Sequence, residues 1–182
     1  MNLQIFRSRE VDNAEFVDFW SKRYEYPHSK LYDNNIARTL TEESVLELYT
    51  WKNGNELSKR KRKSVLQYYV TRIGDTDKLD TPEQGWKYVN SLGGGAIWNV
   101  FWLHCRNRAA FPIFDQHTYR AMAGILDLKP KEIPSGRPDK IRSYFDQYLP
   151  LLKRFDVKDV RTVDKALFAY GQFLRSPFSL GH

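Results

Sequence analysis

The stretch "VNSLGGGAIWNVFWLHCRNRAAFPIFDQHTYRAM", residues 89–122, decides the fold. Its three glycines, Gly93, Gly94 and Gly95, interrupt one helical pattern, and a new helical pattern begins near Ala96. The short apolar linker "FPIFD" then leads to Asp115, a residue type that often starts a helix. Because glycines allow two helices to meet in a close turn, the stretch predicts helix, glycine hairpin, helix, linker and helix.

Capping signals and helical periodicity extend this prediction outward along nearly the whole chain. Strong strand alternation is missing, so we expect an all-α fold with at most a short extended piece near the N-terminus. The expected features, in chain order, are a helical pattern at Phe16, Phe19 and Trp20, a helix between Thr41 and Gly54, a helix at about 57–73, a helix starting at Thr81-Pro82, a helix from Ala96 to about Cys105, a helix from Asp115 to about Leu126, the loop "KPKEIPSGRP", and helices at about 138–154 and 161–174.

Length and composition limit the domain organisation and the compartment. With 182 residues, the chain suits one compact helical domain spanning 1–182, in which residues 1–40 form an N-terminal extension. Apolar residues make up 41% of the chain, and no run has the length of a membrane span or of a secretory signal. The single cysteine, Cys105, excludes an internal disulfide and a four-thiolate metal site. We expect a cytoplasmic monomer without membrane association, located in the nucleoid if the source is bacterial.

The net charge indicates the kind of partner. A formal charge of +7 and a pI near 9.4 favour polyanionic partners such as nucleic acid or anionic membrane surfaces. The basic run "SKRKRKS" around Lys59 to Lys63 can bind phosphates or form a solvated helix face, and it also resembles a nuclear signal. Aromatic residues make up 15% of the chain, and they either fill a core or stack on bases.

The predicted glycine hairpin is suited to bind an anion. Its backbone N–H groups, from Gly93, Gly94, Gly95 and Ala96, would point outward with a helix N-terminus behind them. Exposed N–H groups and the positive end of a helix together bind phosphate without reading any base. The hairpin is therefore a candidate contact for DNA backbone.

These motifs resemble the helix-hairpin-helix DNA glycosylase superfamily, which includes endonuclease III, adenine glycosylase and 8-oxoguanine glycosylase. Gly93 and Gly95 match the G-x-G of its hairpin, and Asp115 stands twenty residues after Gly95, the spacing that the family uses. "DQHTYR" is similar to the family's "DTHIFR", with His117 and Arg120 in register, and "FPIFD" is similar to "FPILD" of adenine glycosylases. The resemblance covers residues 82–126 and extends to about 174, where "VDKALFAYGQFL" looks like the closing helix.

The resemblance implies a function and a set of site residues. Asp115 would be the catalytic carboxylate, and duplex DNA would contact the hairpin together with His117 and Arg120. The lysine of bifunctional members is replaced by Ile97, or by Ala96 if the register slips by one residue, so the implied enzyme is monofunctional. The implied cofactor set is minimal: no required cofactor, no iron–sulfur cluster and no metal ligand, with a monovalent cation on hairpin carbonyls as an option.

Each candidate residue also has a structural interpretation. Asp115 can be a plain helix cap, His117 a helix-packing histidine, and Arg120 a structural or helix-face charge. Glu47 is the candidate for a second acid that protonates the leaving base, or else a surface charge. Trp98 and Trp102 are expected in the core, and His104 beside Cys105 is not expected to form a reactive pair.

Three functions remain open from the sequence. The first is a monofunctional DNA N-glycosylase that hydrolyses the glycosidic bond of a flipped, damaged or modified base. The second is a catalytically inactive helix-hairpin-helix module that binds DNA through phosphates and shape. The third is a protein–protein scaffold, which rests on the aromatic excess alone. An accessible carboxylate in a pocket beside Asp115 would favour the enzyme.

Overall fold

The computed structural model describes residues 10–155, 157 and 159–176. Within those residues the regular structure is helical and no strand occurs, so the all-α prediction is confirmed. The extended piece expected near the N-terminus falls in part on residues 1–9, outside the described residues. The α-helices are α1 (Asn13–Ser21), α2 (Ser29–Asp33), α3 (Glu42–Asn53), α4 (Lys59–Tyr68), α5 (Pro82–Ser91), α6 (Ala96–Arg106), α7 (Gln116–Ile125), α8 (Arg137–Arg142), α9 (Leu149–Leu152) and α10 (Val160–Arg175).

The described helices group into two compact units. The central unit comprises Glu25–Phe111 and contains α2 to α6. The terminal unit comprises the described residues up to Tyr24 and from Pro112 onward, and it contains α1 and α7 to α10. The boundary at Pro112 lies inside the "FPIFD" linker, so the glycine hairpin and Asp115 belong to different units.

Local capping chemistry explains why the helices of the central unit start where the sequence predicts. The Thr41 hydroxyl accepts a hydrogen bond from the N–H of Ser44 at 3.1 Å, and α3 ends at Gly54 with φ of 77°. Thr81 caps α5 in the same way, with Gln84 as its partner. α4 ends at Tyr68, earlier than the predicted 73, and a 3-10 turn follows at Val70–Arg72. The β-branched residues of that turn disfavour further α-helix.

Aromatic side chains fill the core of the central unit. Tyr49 stacks on Tyr69 with ring centroids 4.5 Å apart, and the rings of Phe101 and Trp102 pack against this pair. All four side chains are buried. The core prediction is confirmed for Trp102, whereas Trp98 is half-buried with its ring 5.2 Å from Tyr49. Much of the aromatic excess therefore serves packing.

In the terminal unit, α10 packs against both α1 and α7. The rings of Phe16 and Trp20 from α1 meet the ring of Tyr170 at centroid distances of 5.3 and 5.2 Å. Against α7, the backbone of Gly171 approaches so closely that a Cβ atom there would lie 1.9 Å from the carbonyl oxygen of His117. The α7–α10 contact therefore requires glycine at position 171.

Gly171→Ala should lower the free energy of unfolding by about 3 kcal/mol, because the added methyl group meets backbone that cannot rotate away. Urea denaturation of both proteins measures the difference. Gly74→Ala is the matched control, since a Cβ atom at Gly74 meets nothing within 4 Å and should change stability little. Equal stability of the two variants would contradict this close packing.

The helix expected over 138–154 is interrupted by a π-helical segment. Between α8 and α9, residues Ser143–Tyr148 form i to i+5 hydrogen bonds. Pro150 lies two residues after this segment, and it has no N–H to donate to the carbonyl of Asp146. The altered ladder accommodates this proline without ending the helix, so the structure is helical from Arg137 to Leu152, close to the predicted range, and the π-helical segment is the feature that the sequence did not predict.

Candidate functional site

Asp115 starts α7 as its N-cap. Its Oδ1 atom accepts hydrogen bonds from the backbone N–H groups of His117 at 2.8 Å and Thr118 at 3.1 Å. The Thr118 hydroxyl in turn accepts from the N–H of Asp115 at 2.9 Å, which completes a capping box. The side chain is half-buried. The capping role is thus present, and it leaves the catalytic role a prediction, because one carboxylate can perform both.

The linker before Asp115 is fixed by three buried side chains of the terminal unit. The N–H of Ile113 donates to Oδ2 of Asp164 at 2.9 Å, and the Tyr148 hydroxyl donates to Oδ1 of the same carboxylate at 2.7 Å. The Tyr144 hydroxyl donates to the carbonyl of Pro112 at 3.0 Å. Because these bonds hold the backbone two residues before Asp115, they position its carboxylate.

Sequence reasoning missed Asp164 although a signal was present. In α10 it lies beside Val163 and three residues before Leu167, on the stripe of residues that the helix buries. An acidic residue on an apolar stripe is seldom buried without partners. That pattern marks a buried structural carboxylate, but it does not identify the linker as its partner.

Tyr24 belongs to the same unit as Asp115, and the charge of the Asp115 carboxylate influences its pKa. Its hydroxyl accepts a hydrogen bond from Nη2 of Arg161 at 3.0 Å. Burial raises the pKa of Tyr24, Arg161 lowers it, and the negative charges of Asp115 and Asp164 raise it. The tyrosine therefore stays a neutral O–H group at ordinary pH. Residues 1–80 carry no resemblance that could have pointed to it.

His117 is a half-buried residue whose ring packs edge-on against Phe168, with centroids 4.8 Å apart. Burial lowers the pKa of His117, and the positive charges of Arg120 and Arg175 lower it further, whereas Asp115 raises it. The ring is therefore mainly neutral at neutral pH. A contact from His117 to a phosphate would be a hydrogen bond rather than an ion pair.

His117→Gln should make the protein less sensitive to acid. Because the folded-state pKa lies below the ordinary value of about 6.5, the unfolded chain binds a proton first, and stability falls as pH drops through that range. His117→Gln removes this loss of stability. The free energy of unfolding, measured between about pH 7.5 and 5, should therefore decline less steeply in the variant than in the unmodified protein. An unchanged decline would show that His117 is not the residue responsible.

Arg120 is buried and its guanidinium is used inside the terminal unit. Its Nη2 atom bonds both carboxylate oxygens of Glu132 at 2.9 Å, and its Nη1 atom donates to the carbonyl of Gly171 at 3.1 Å. These contacts tie α7 to the following loop and to α10. The geometry favours the structural interpretation of Arg120 over a contact with DNA.

Glycine occupies the three hairpin positions of the central unit for different physical reasons. A Cβ atom at Gly93 would lie 2.6 Å from the ring of Tyr68, so any other residue there would require this ring to shift. Gly94 has φ of 84°, a conformation that other residues rarely adopt. Gly95 is the N-cap of α6, where no side chain caps the helix and a Cβ atom would meet nothing within 4 Å. The hairpin thus offers a helix N-terminus with open space at its last glycine, while Ala96 is buried.

The hairpin rests on a buried polar pair. The Tyr69 hydroxyl lies 3.4 Å from the Cβ position of Gly94 and donates to Oδ1 of Asn99 at 2.7 Å. Asn99 is fully buried one turn into α6, and its N–H donates to the carbonyl of Gly95 at 3.0 Å. These contacts fix the backbone of the hairpin at Gly94 and Gly95.

Two other candidates of the central unit are accounted for by packing. His104 is buried, with Nδ1 at 2.8 Å from the carbonyl of Phe111 and Nε2 at 2.7 Å from the Tyr32 hydroxyl. Since a carbonyl only accepts, Nδ1 carries the proton and Nε2 accepts from Tyr32. Burial raises the pKa of the Cys105 thiol well above its usual range. Both ring nitrogens of His104 thus have hydrogen-bond partners other than Cys105, and the thiol stays protonated.

Glu47 lies at an acidic cavity of the central unit. The cavity has a volume of about 510 Å³ and is lined by Leu31, Glu42, Glu43, Leu46, Glu47, Thr50, Glu56 and Arg62. The carboxylate of Glu47 also accepts a hydrogen bond from Nδ2 of the buried Asn35. Four glutamates against one arginine repel phosphate, so the cavity is not suited to DNA backbone. Asp115 is not among its lining residues.

Comparison of the chain with protein-family models, with curated proteins and with solved structures gives no match in any of the three. In the part of the chain that the structure describes, no three His, Cys, Asp or Glu side chains come together as a metal-ion site. Of the helices in those residues, none combines the length and apolar character needed to cross a membrane.

Proposed function

We propose that the protein is a monofunctional DNA N-glycosylase, which binds duplex DNA and hydrolyses the glycosidic bond of a flipped damaged or modified base. The observation that carries the proposal is the register between the hairpin glycines and Asp115. Gly93 and Gly95 match the G-x-G of helix-hairpin-helix glycosylases, and "DQHTYR" follows at the family's spacing. The fold class and the helix start at Asp115 agree with this assignment.

The hairpin would hold a phosphate of the DNA backbone. Support comes from the uncapped N-terminus of α6, the positive φ of Gly94 and the open space at Gly95, which together suit a close approach by an anion. Hairpin carbonyls could in addition hold a monovalent cation. This contact carries no base information, so the protein would bind duplex DNA with an affinity that falls steeply with salt.

Asp115 would act on the sugar of the flipped nucleotide. As the bond from C1′ to the base nitrogen breaks, its electron pair leaves with the base and positive charge develops on the sugar. A carboxylate stabilises that charge and accepts the proton of the water whose oxygen attacks C1′. The departing base takes a proton from solvent or from a nearby acid. The base must leave the stack before this step.

Ile97 and Ala96 determine the type of glycosylase. Neither side chain has an amine, so this part of the hairpin can form no imine with C1′. The proposed reaction therefore ends with a free base and an intact strand that contains an abasic site. Strand cleavage would require a later treatment with heat or alkali.

The second candidate function is a DNA-binding module without chemistry. The capping box favours it, because Asp115 already has a structural reason to be present. Both candidates share the hairpin, the positive charge and the salt-dependent affinity. They differ only in what happens to the base.

A panel of duplexes tests the proposal. Each duplex carries a different damaged, modified or mismatched base, and base release is scored by strand cleavage after heat or alkali. Release from at least one duplex, with affinity for undamaged DNA that falls steeply with salt, is the expected result. DNA binding without release from any duplex would favour the module, and absence of DNA binding at low salt would exclude both.

A further inference from the structure

The first turns of α4 carry five consecutive basic residues, Lys59–Lys63, all of them exposed. Ser58 caps this helix by accepting a hydrogen bond from the N–H of Lys61 at 3.3 Å. No acidic residue lies in the first turn. The run is therefore part of a well-formed helix rather than of a loop.

This arrangement is unfavourable for the isolated protein. The N-terminus of a helix is the positive end of its dipole, where each added cation costs about 0.3–1 kcal/mol. Like charges three and four residues apart, as in Lys59 with Arg62 and Lys59 with Lys63, repel each other as well. Among the described residues, no acidic side chain forms an ion pair with Lys59, Arg60 or Lys63. A cluster of like charges that lowers the stability of the fold is typical of a surface that binds a partner of opposite charge.

The other end of α4 touches the glycine hairpin. The ring of Tyr68, the last residue of the helix, packs on Gly93 and Gly94. Arg60, Ser64 and Tyr68 follow one another at four-residue steps, so they share one side of the helix. At about 1.5 Å per residue, Arg60 lies about 12 Å along the helix axis from Tyr68. Charges on one DNA strand repeat about every 3.4 Å along the duplex axis, so this length corresponds to a few nucleotides.

We propose that the first turns of α4 form a second phosphate-binding surface, made of Lys59, Arg60 and Lys63, for the DNA backbone that flanks the phosphate held by the hairpin. The inference rests on the proposed DNA binding, and it does not depend on the glycosylase chemistry. The central unit then binds a run of backbone instead of a single phosphate. Since lysine and arginine contact phosphates here, the surface reads no sequence.

The test is a triple variant, Lys59→Gln with Arg60→Gln and Lys63→Gln, called the α4 variant. Lys61 stays because its Nζ atom bonds Asn53, and Arg62 stays because it lines the acidic cavity. Affinity for a fluorescent undamaged duplex is measured from low to physiological salt. We expect a loss on the order of 100-fold at about 0.1 M salt and a salt slope that is flatter by about 2 to 3.

A control variant removes the same charge from elsewhere in the central unit. It carries three substitutions at exposed cations, Lys30→Gln, Arg38→Gln and Lys78→Gln. The expected loss of affinity is several-fold only, because these cations act through general attraction and not through contact. An equal loss in the two variants would overturn the inference, since net charge alone would then explain the binding.

Two further readouts separate the possible failures. Without DNA, the α4 variant should unfold at the same or a higher urea concentration than the unmodified protein, and lower stability would mean that the basic residues are structural. If no duplex releases a base while the α4 variant still binds DNA more weakly, the glycosylase proposal fails and the phosphate surface stands. Unchanged affinity in the α4 variant, or binding of phosphatidylserine vesicles but not of DNA, overturns the phosphate surface alone.

Discussion

Asp115→Asn is expected to abolish base excision, with a rate at least about 1,000-fold below that of the unmodified protein. The negative charge of the carboxylate is needed when positive charge develops on the sugar, and asparagine cannot supply it. DNA affinity should stay equal or rise, because a carboxylate near phosphates is unfavourable in the ground state. Single-turnover excision and equilibrium binding, measured on the same duplex, give the two quantities.

The structure provides a matched control for this substitution. Asp159 is the N-cap of α10 in the same unit, and it accepts a hydrogen bond from the N–H of Arg161 at 3.0 Å, as Asp115 does from α7. Asparagine is itself a good N-cap, so Asp115→Asn and Asp159→Asn should each change stability by less than about 1 kcal/mol. Only the former should lose excision. Full activity of Asp115→Asn would show that Asp115 acts only as the N-cap of α7.

Asp164→Ala should lower the free energy of unfolding by about 4 kcal/mol, the largest stability effect expected in the terminal unit. The substitution leaves two buried donors, the N–H of Ile113 and the hydroxyl of Tyr148, without their acceptor. Each unsatisfied buried donor costs about 1–3 kcal/mol, and the bonds lost were made to a buried carboxylate. Urea denaturation at neutral pH measures the change.

Two milder variants show whether Asp164 positions Asp115 or only stabilises the fold. Tyr148→Phe removes one hydrogen bond and one buried donor together, and it should cost about 1 kcal/mol. Asp164→Asn keeps an acceptor for the N–H of Ile113 and should remain folded at low temperature. We expect Asp164→Asn to slow single-turnover excision at saturating protein while DNA affinity stays constant. An excision rate equal to that of the unmodified protein would limit Asp164 to a role in stability.

The helices could be predicted because their starts and ends depend on neighbouring residues only. Thr41 and Thr81 accept hydrogen bonds from N–H groups three residues ahead, and Gly54 adopts the left-handed conformation that ends a helix. The start of α7 at Asp115 follows from the same local chemistry. Such signals are readable from the sequence because no distant part of the chain is needed to produce them.

The supports of the candidate site could not be predicted because they join residues far apart in the chain. The N–H of Ile113 meets Asp164, and Tyr24 meets Arg161, through the packing of helices that the sequence does not orient. The close approach of Gly171 to α7 likewise appears only when α10 is placed. The sequence indicates that Asp164, a carboxylate on the apolar stripe of α10, needs hydrogen-bond partners. It does not indicate which residues those partners are.

The role of the basic run could not be decided from the sequence, and the structure adds one observation that favours phosphate binding. Sequence reasoning balanced a phosphate grip against a solvated helix face for Lys59 to Lys63. The contact of Tyr68 with Gly93 and Gly94 brings the end of the same helix to the glycine hairpin. That contact joins two features that are twenty-five residues apart, counted from Tyr68 to Gly93. It is the reason for treating the helix and the hairpin as one surface.

The mass of the DNA product gives the most direct test of Asp115-assisted hydrolysis. After incubation of the duplex panel with the unmodified protein, mass spectrometry should find a free base and an unbroken strand that has lost that base and gained the elements of water. Borohydride should trap no covalent adduct between protein and DNA, and Asp115→Asn should leave the strand at its original mass. Absence of base release from every duplex, or the same product from Asp115→Asn, would contradict the proposed catalytic role.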